Sequence, residues 1–400
     1  MRRYLASFCL GLAACAAQED LSDVTGARGT REVNGSTYGA ALPRVSAADQ
    51  RRFEAGLVEF KRKRDARSGL GPVMSGDACS ACHDFVGAIG GTNGRLERRF
   101  GHRNPDGSFD PLLSLGGPML QDDAIGLVNG IAWIPETLPS IANVISQRLT
   151  TPVFGLGLVD ATPDATFVAV AEWQRLRHPE VAGRPAVVRD LVRNADAVGR
   201  FGWKATQPTL LQFTADAFVN EMGITNPVFP DENCPQGDCG ALENNPAPGL
   251  NDPDGSAMAS ATDFMRFLGP PPRGKTPPSR GPDLFAEIGC AACHLQTLVT
   301  GPSASAALDR VAYHPFSDFL LHDMGTLGDR IDEGDANGAE IRTPPLWGLP
   351  FRHRLLHDGR TTDVAEAILA HDGQGKPARD RFAALPDGDR ASLLLFLESL

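Results

Sequence analysis

The sequence lacks any internal apolar run near the ~18 residues that a bilayer span requires, which excludes a polytopic membrane protein. It is also short of positive charge. Lys and Arg number 38 against 49 Asp and Glu, a net charge of −11, so no chain-wide basic footprint exists for nucleic acid or an anionic membrane surface. Apolar residues are not scarce: at 42%, beside 22% charged residues, they exclude wholesale disorder. Gly (43) and Pro (31) are abundant and predict many loops, in a chain whose 400 residues exceed one compact domain.

Met1-Arg2-Arg3 is a short positive region, and the apolar stretch from Tyr4 to Ala14 is too brief to cross a bilayer. Leu12-Ala13-Ala14-Cys15 resembles a bacterial lipobox. On that reading residues 1–14 are a signal peptide, Cys15 is lipidated, and 15–45 is a tether holding the protein to a membrane in the periplasm. Ordinary cleavage in the same Ala-rich stretch would give a soluble periplasmic protein. Both readings imply export.

Eight cysteines follow from the sequence, and four decide the chemistry. Cys234 and Cys239 sit close together in a polar loop and predict a local disulfide in an oxidising compartment. Cys79-Ser80-Ala81-Cys82-His83 and Cys290-Ala291-Ala292-Cys293-His294 both read CxxCH, the attachment signature of c-type haem. Two thiols at this spacing reach the two vinyl groups on one haem edge, and the adjacent His is then held beneath the iron. A zinc ribbon would pair its CxxC knuckles about 15–20 residues apart, far closer than these two motifs. A thioredoxin-like site needs neither the trailing His nor a second copy. The pattern therefore predicts two covalently bound haem c groups, with His83 and His294 as proximal iron ligands.

Helices are predicted at Ser46 to Arg64, from Thr162-Pro163-Asp164 towards Trp173, at Ser256 to Leu268, and at Asp387 to Ser399. The basic residues of the first, Arg51 to Arg64, are read as a solvated face. The Pro-rich segment 269–281 reads as a linker between an N-terminal haem domain with insertions, 46–268, and a C-terminal haem domain, 282–400. Arg148-Leu149-Thr150-Thr151-Pro152 follows the first haem motif and Arg342-Thr343-Pro344-Pro345 the second, a weak echo of a duplicated unit.

Several longer strings carry a family resemblance: GLGPVMSGDACSACH (69–83), FGLGLVDATPD (154–164), GRFGWKATQPTLLQ (199–212), HPFSDFLLHDMGTLGD (314–329) and RTPPLWGLPFRHRLLHDGRTTDVAEAILAH (342–371). With these the chain resembles the bacterial di-haem cytochrome c peroxidase superfamily, and within it the di-haem oxidoreductase branch sometimes labelled thiol oxidoreductases. The resemblance implies a mainly α fold of two cytochrome c-type haem domains with long loops. It also implies a peroxidase-like oxidoreductase that passes electrons from the C-terminal haem to a substrate-accessible N-terminal haem. The electron donor would be a small periplasmic cytochrome or cupredoxin, and the oxidant a small molecule such as peroxide.

In that superfamily a Met follows an HDG sequence by fourteen residues and ligates the C-terminal haem. Here His357-Asp358-Gly359 is followed at that distance by His371, which predicts His371 as distal ligand and a lower potential than His/Met ligation would give. For the first haem, His102 is the weaker distal candidate and Met119 weaker still. The superfamily's distal carboxylate has no clear counterpart. Asp160 is the nearest acid, and a surface Asp before a helix is the simpler account of it. Trp203 is a candidate for the Trp that stands between haems in relatives, and Trp347 lies in another branch string. His322, His353, His357 and Met324 are assigned packing and loop roles. Asp332, Asp335 and Asn337 resemble in part the interdomain calcium loop of relatives, but lack the full pattern. A non-enzymatic di-haem electron-transfer lipoprotein, and an oxidase of a protein or organic substrate, are the rival functions.

Overall fold

The computed structural model describes residues 24–85, 87–275 and 279–400. The signal peptide and Cys15 lie outside the described residues. The expected helices form largely where the apolar spacing puts them. Helix α1 (Ala47–Phe60) is capped by Ser46, whose side chain accepts from Asp49 N at 3.0 Å. Helices α2 (Leu156–Asp160) and α3 (Asp164–Arg177) flank Pro163, which sets the extended backbone that starts α3. Helix α4 (Leu210–Met222) begins at Thr209, which accepts from Gln212 N, and stops at Gly223, whose φ of 67° is left-handed. Helices α5 (Ser256–Phe267), α6 (Arg280–Glu287), α7 (Val364–Leu369), α8 (Lys376–Ala383) and α9 (Asp387–Leu397) complete the series.

The mainly α expectation is nonetheless wrong. The protein is 33% helical and 17% strand, the strand spread over many small sheets. Strand β1 (Leu96–Arg103) pairs antiparallel with β2 (Val144–Leu149), in register from Leu96↔Leu149 to Gly101↔Val144. A second hairpin joins β3 (Ala186–Asp190) to β4 (Ala195–Gly199). Gly and Pro interrupt the chain too often for long helices, and the loops gain backbone partners by pairing in short ladders. Alternating polar and apolar residues in such short pieces carry little of the 3.6-residue period by which helices are recognised.

Segment 24–45, expected as a tether, is packed in its described part. Arg31–Glu32 runs parallel to Val311–Tyr313, Leu42 N donates to Phe267 O at 2.7 Å, and Val33 and Leu42 are buried. The Pro-rich segment is also bonded on both sides: Gly269 N donates to Ala40 O, and Gly274 N to Ser399 O. The largest apolar core crosses that segment, joining Phe53, Phe167 and Phe264 to Leu298, Tyr313 and Phe319. The two haem-motif units therefore share a core rather than hinge on a free linker. The predicted disulfide, Cys234–Cys239, is formed.

Helices α1 and α5 cross closely because Gly56 has no side chain. A Cβ there would lie 2.3 Å from Ser260 O and 2.9 Å from Phe264 Cβ, while Phe53 and Phe60 stack on Phe264 at 5.2 and 4.7 Å. Gly56→Val should separate the helices and cost about 1–3 kcal/mol, read as a lowered thermal midpoint with unchanged haem absorption.

Two candidate haem cavities

The two CxxCH segments fold alike. Cys79–Ala81 and Cys290–Ala292 each form a single 3₁₀ turn, and the motif's His closes it by donating its backbone N–H to the first Cys carbonyl. These distances are 3.0 Å for His83 to Cys79 and 2.9 Å for His294 to Cys290. All four thiols are free, and burial pushes those of Cys79, Cys82 and Cys290 up to about 12.

A cavity of about 470 Å³ opens above the second motif, within the size range of cofactor sites. His294 Nδ1 lies 2.9 Å from Phe316 O, which leaves Nε2 as the free nitrogen. Burial pushes its pKa down to about 4, so the ring is neutral and able to donate a lone pair. His371 lines the same cavity, just past α7, whose start Asp363 caps by accepting from Glu366 N. Its Nδ1 is 2.8 Å from Ala367 O, and burial lowers its pKa as well. Two neutral imidazoles, each tied at Nδ1, thus face one mostly apolar space. Arg342 and Arg352 line it too, and among the described residues neither has a carboxylate partner. Thiols, nitrogen donors and buried unpaired cations together fit an iron porphyrin with acidic side chains.

The cavity at the first motif, about 730 Å³, is more polar. Cys82 and His83 line it, and burial pushes His83 down to about 4. His83 Nδ1 has no hydrogen-bond partner of ordinary geometry, in contrast to His294. Helix α4 turns Phe213, Asp216, Asn220 and Glu221 towards the space, and desolvation pushes Asp216 up to about 6 and Glu221 to about 8. Glu232, beside the disulfide loop, is likewise pushed up to about 8. Arg99 and Arg148 stand opposite, but are neutralised by Glu97, Glu333 and Asp329.

The sequence candidates are distributed unevenly. Met119 lines the first cavity. His102 does not: it sits on β1 with Nδ1 2.7 Å from Ile141 O. Asp160 lies off both cavities and is half-buried, accepting from Leu210 N at 2.8 Å, so it orders the start of α4. Trp203 lines both cavities, its Nε1 donating to Leu149 O at 2.8 Å and its ring edge-on to His357. Trp347 is core, packed on Tyr313. His353 packs against Phe85, and Met324 lines the second cavity. His322 is buried, with Nε2 2.9 Å from Asp318 and Nδ1 3.6 Å from Cys293 Sγ. The partial calcium loop does not converge: Asp332 pairs with Arg103 and Asp335 with Arg184, while Asn337 caps the turn to Ala339.

Residues 141–400 match the family model described as "Di-haem oxidoreductase, putative peroxidase". The chain belongs to the di-haem oxidoreductases. The family implies haem as cofactor, which the donor sets of both cavities suit. No curated protein matches. Among solved structures, hydrazine synthase from Kuenenia stuttgartiensis is similar at 14% identity, over 100% of both chains, with a TM-score of 0.40, a likeness too loose to bear on fold or activity.

Sequence reasoning missed Asp216, Glu221 and Glu232, which are far from either motif along the chain. A faint signal existed for this di-haem oxidoreductase in α4, where positions 213, 216 and 220 fall on one helical face. If His371 closes the second site, His371→Ala should convert one low-spin ferric EPR signal to high-spin while both haems stay attached. An unchanged low-spin signal would remove His371 from the ligand set.

Proposed function

We propose that the protein is an exported, c-type di-haem oxidoreductase that reduces a small peroxide-class oxidant at the His83 cavity. Electrons would enter through the His294/His371 cavity. The observation that carries this reading is the inequality of two spaces built on the same motif. The second is apolar and offers two histidines. The first is lined by the carboxyl groups of Asp216, Glu221 and Glu232 and by Asn220 and Gln121, polar groups that a small oxidant would meet there.

Bound iron porphyrin would supply the electrons and an open coordination position. The chain's own residues would do the rest. Glu221 holds its proton at neutral pH because burial disfavours its charged form, and a retained proton is what a departing oxygen needs; Asp216, pushed up to about 6, holds one only in mild acid. Reduction of a peroxide to water consumes two electrons and two protons, and Glu232, likewise pushed up to about 8 on the same wall, holds a second. Arg95 and Arg99, close enough to oppose the shifts at Asp216 and Glu221, would stabilise the carboxylates left behind there. Leu149 to Thr151, Gly202, Trp203 and Phe213 form wall shared by both cavities. His371 in place of the superfamily's Met would keep the entry site at low potential.

The lipobox-like Leu12 to Cys15 supports delivery to the periplasm and anchoring through lipidated Cys15, with a small cytochrome or cupredoxin as donor. One observation favours the carrier reading instead: Met119, buried on the first cavity's wall, offers a thioether that would close the sixth position.

A pyridine haemochrome assay should return two covalent haems per chain. With a reducing donor in excess, supplying two electrons per peroxide, hydrogen peroxide should be turned over, and Glu221→Gln should slow turnover about 10²-fold or more. Two haems that stay low-spin in every redox state, with no turnover, would leave the carrier.

A further inference from the structure

Burying a guanidinium without a counter-charge is unfavourable, and burying two side by side is more so, because each repels the other. The second cavity sets one buried guanidinium, Arg342, against a half-buried one, Arg352, whose Nε is enclosed. Arg342 is 4% exposed and donates only to carbonyls: Nε to Gly202 O at 2.7 Å and one terminal nitrogen to Thr343 O at 2.9 Å. Arg352 donates to Pro345 O and Trp347 O, and its buried Nε has no partner. Burial lowers both guanidiniums to about 10, and the charge of Arg352 is one of the causes acting on Arg342. The carboxylates that line this cavity are Glu180 and Glu287. Both are exposed, and Glu287 is committed to Arg280 at 2.6 Å.

The first cavity shows what a satisfied arrangement looks like. Arg148 occupies the corresponding place in the sequence echo, and it is paired with Asp329 and Glu333. Its neighbour Arg99 is paired with Glu97 and Glu333. The chain therefore pairs those two directly, whereas Arg342 has only the attraction of Asp318, beyond ion-pair distance and bonded to His322 and Gln174, and Arg352 has no acid acting on it.

We infer that Arg342 and Arg352 form a cradle for a dianion, the two propionate carboxylates of the haem tethered at Cys290 and Cys293. The inference rests on the di-haem reading of the site. The forked donors suit carboxylates, and the apolar remainder of the wall suits the ring. Arg342 also ties this cradle to the shared wall: its backbone N–H donates to Trp203 O at 2.8 Å, and its side chain holds Gly202 O. Arg342 thereby couples the cradle to the peptide that carries Trp203.

The test uses the haem-loaded protein with Arg342→Met, Arg352→Met and the charge-retaining Arg342→Lys and Arg352→Lys. Resonance Raman should show a shifted propionate bending band for the C-terminal haem in all four, because a Lys cannot reproduce the fork. At a pH near 9, where propionates are ionised in every variant, the Met variants should lower that haem's midpoint potential, since a lost positive charge favours the ferric form. The Lys variants should restore most of it. The N-terminal haem should keep its band and potential. Arg354→Met, which removes an exposed guanidinium from the same cavity's rim, should leave both unchanged.

Two attached haems with wild-type bands and potentials in the Met variants would overturn the cradle. Should the Met variants fail to fold, an unshifted band in the Lys variants would overturn it equally. Fewer than two attached haems in the unmodified protein would defeat the di-haem reading itself, a different outcome from either.

Discussion

A lone pair on an imidazole is available to a metal only while the ring is uncharged, and this molecule keeps its two motif histidines uncharged by burying them. Desolvation is the largest cause that pushes both His83 and His294 down to about 4, and at His294 the nearby His371 and His322 push the same way. Much else follows from that burial. Each CxxCH turn has to be wrapped by chain, which here means Phe60 beside His83 and Phe285 beside His294. The wrapping in turn creates enclosed spaces, and the residues that line them acquire shifted proton affinities of their own.

The two spaces have opposite electrostatics. One gathers carboxylic acids held neutral by burial, and the other gathers guanidiniums left without acids. The difference is imposed by a buried ion network that joins the two halves of the chain. Lys204, fully buried, pairs with Asp329 at 2.8 Å; Asp329 also holds Arg148, and Glu333 bridges Arg148 and Arg99. Asp329 and Glu333 come from the C-terminal half, yet Glu333 lines the cavity of the N-terminal motif. Removing one member would strand the others in the interior, so the first cavity depends on the second half being in place.

This interdependence ties the two haem-motif units to one another across the Pro-rich stretch. A Pro-rich stretch marks a boundary only if its neighbours leave it free. Here Ala40 and Ser399 both bond to it, and the apolar core passes beneath it. Segment 24–45 behaves similarly. Its composition is that of a spacer, but Val33 and Leu42 find an apolar surface 220 residues or more away in sequence, which no local pattern reveals.

What the sequence determined by itself is covalent and local. The CxxCH spacing sets which thiols and which imidazole act together, because their separation is fixed by four peptide bonds. Helices with a strong apolar period and a capping residue, such as α1 after Ser46 and α7 after Asp363, are legible for the same reason. The step from His357 to His371 could be counted along the chain, and folding brings His371 to the same cavity as His294. Only the tertiary structure decided which acids face the first motif, which Arg residues lack partners, and that Asp160 caps α4 rather than facing a cavity. Those outcomes depend on desolvation and on charges brought together from distant segments, and both exist only once the chain has closed around them.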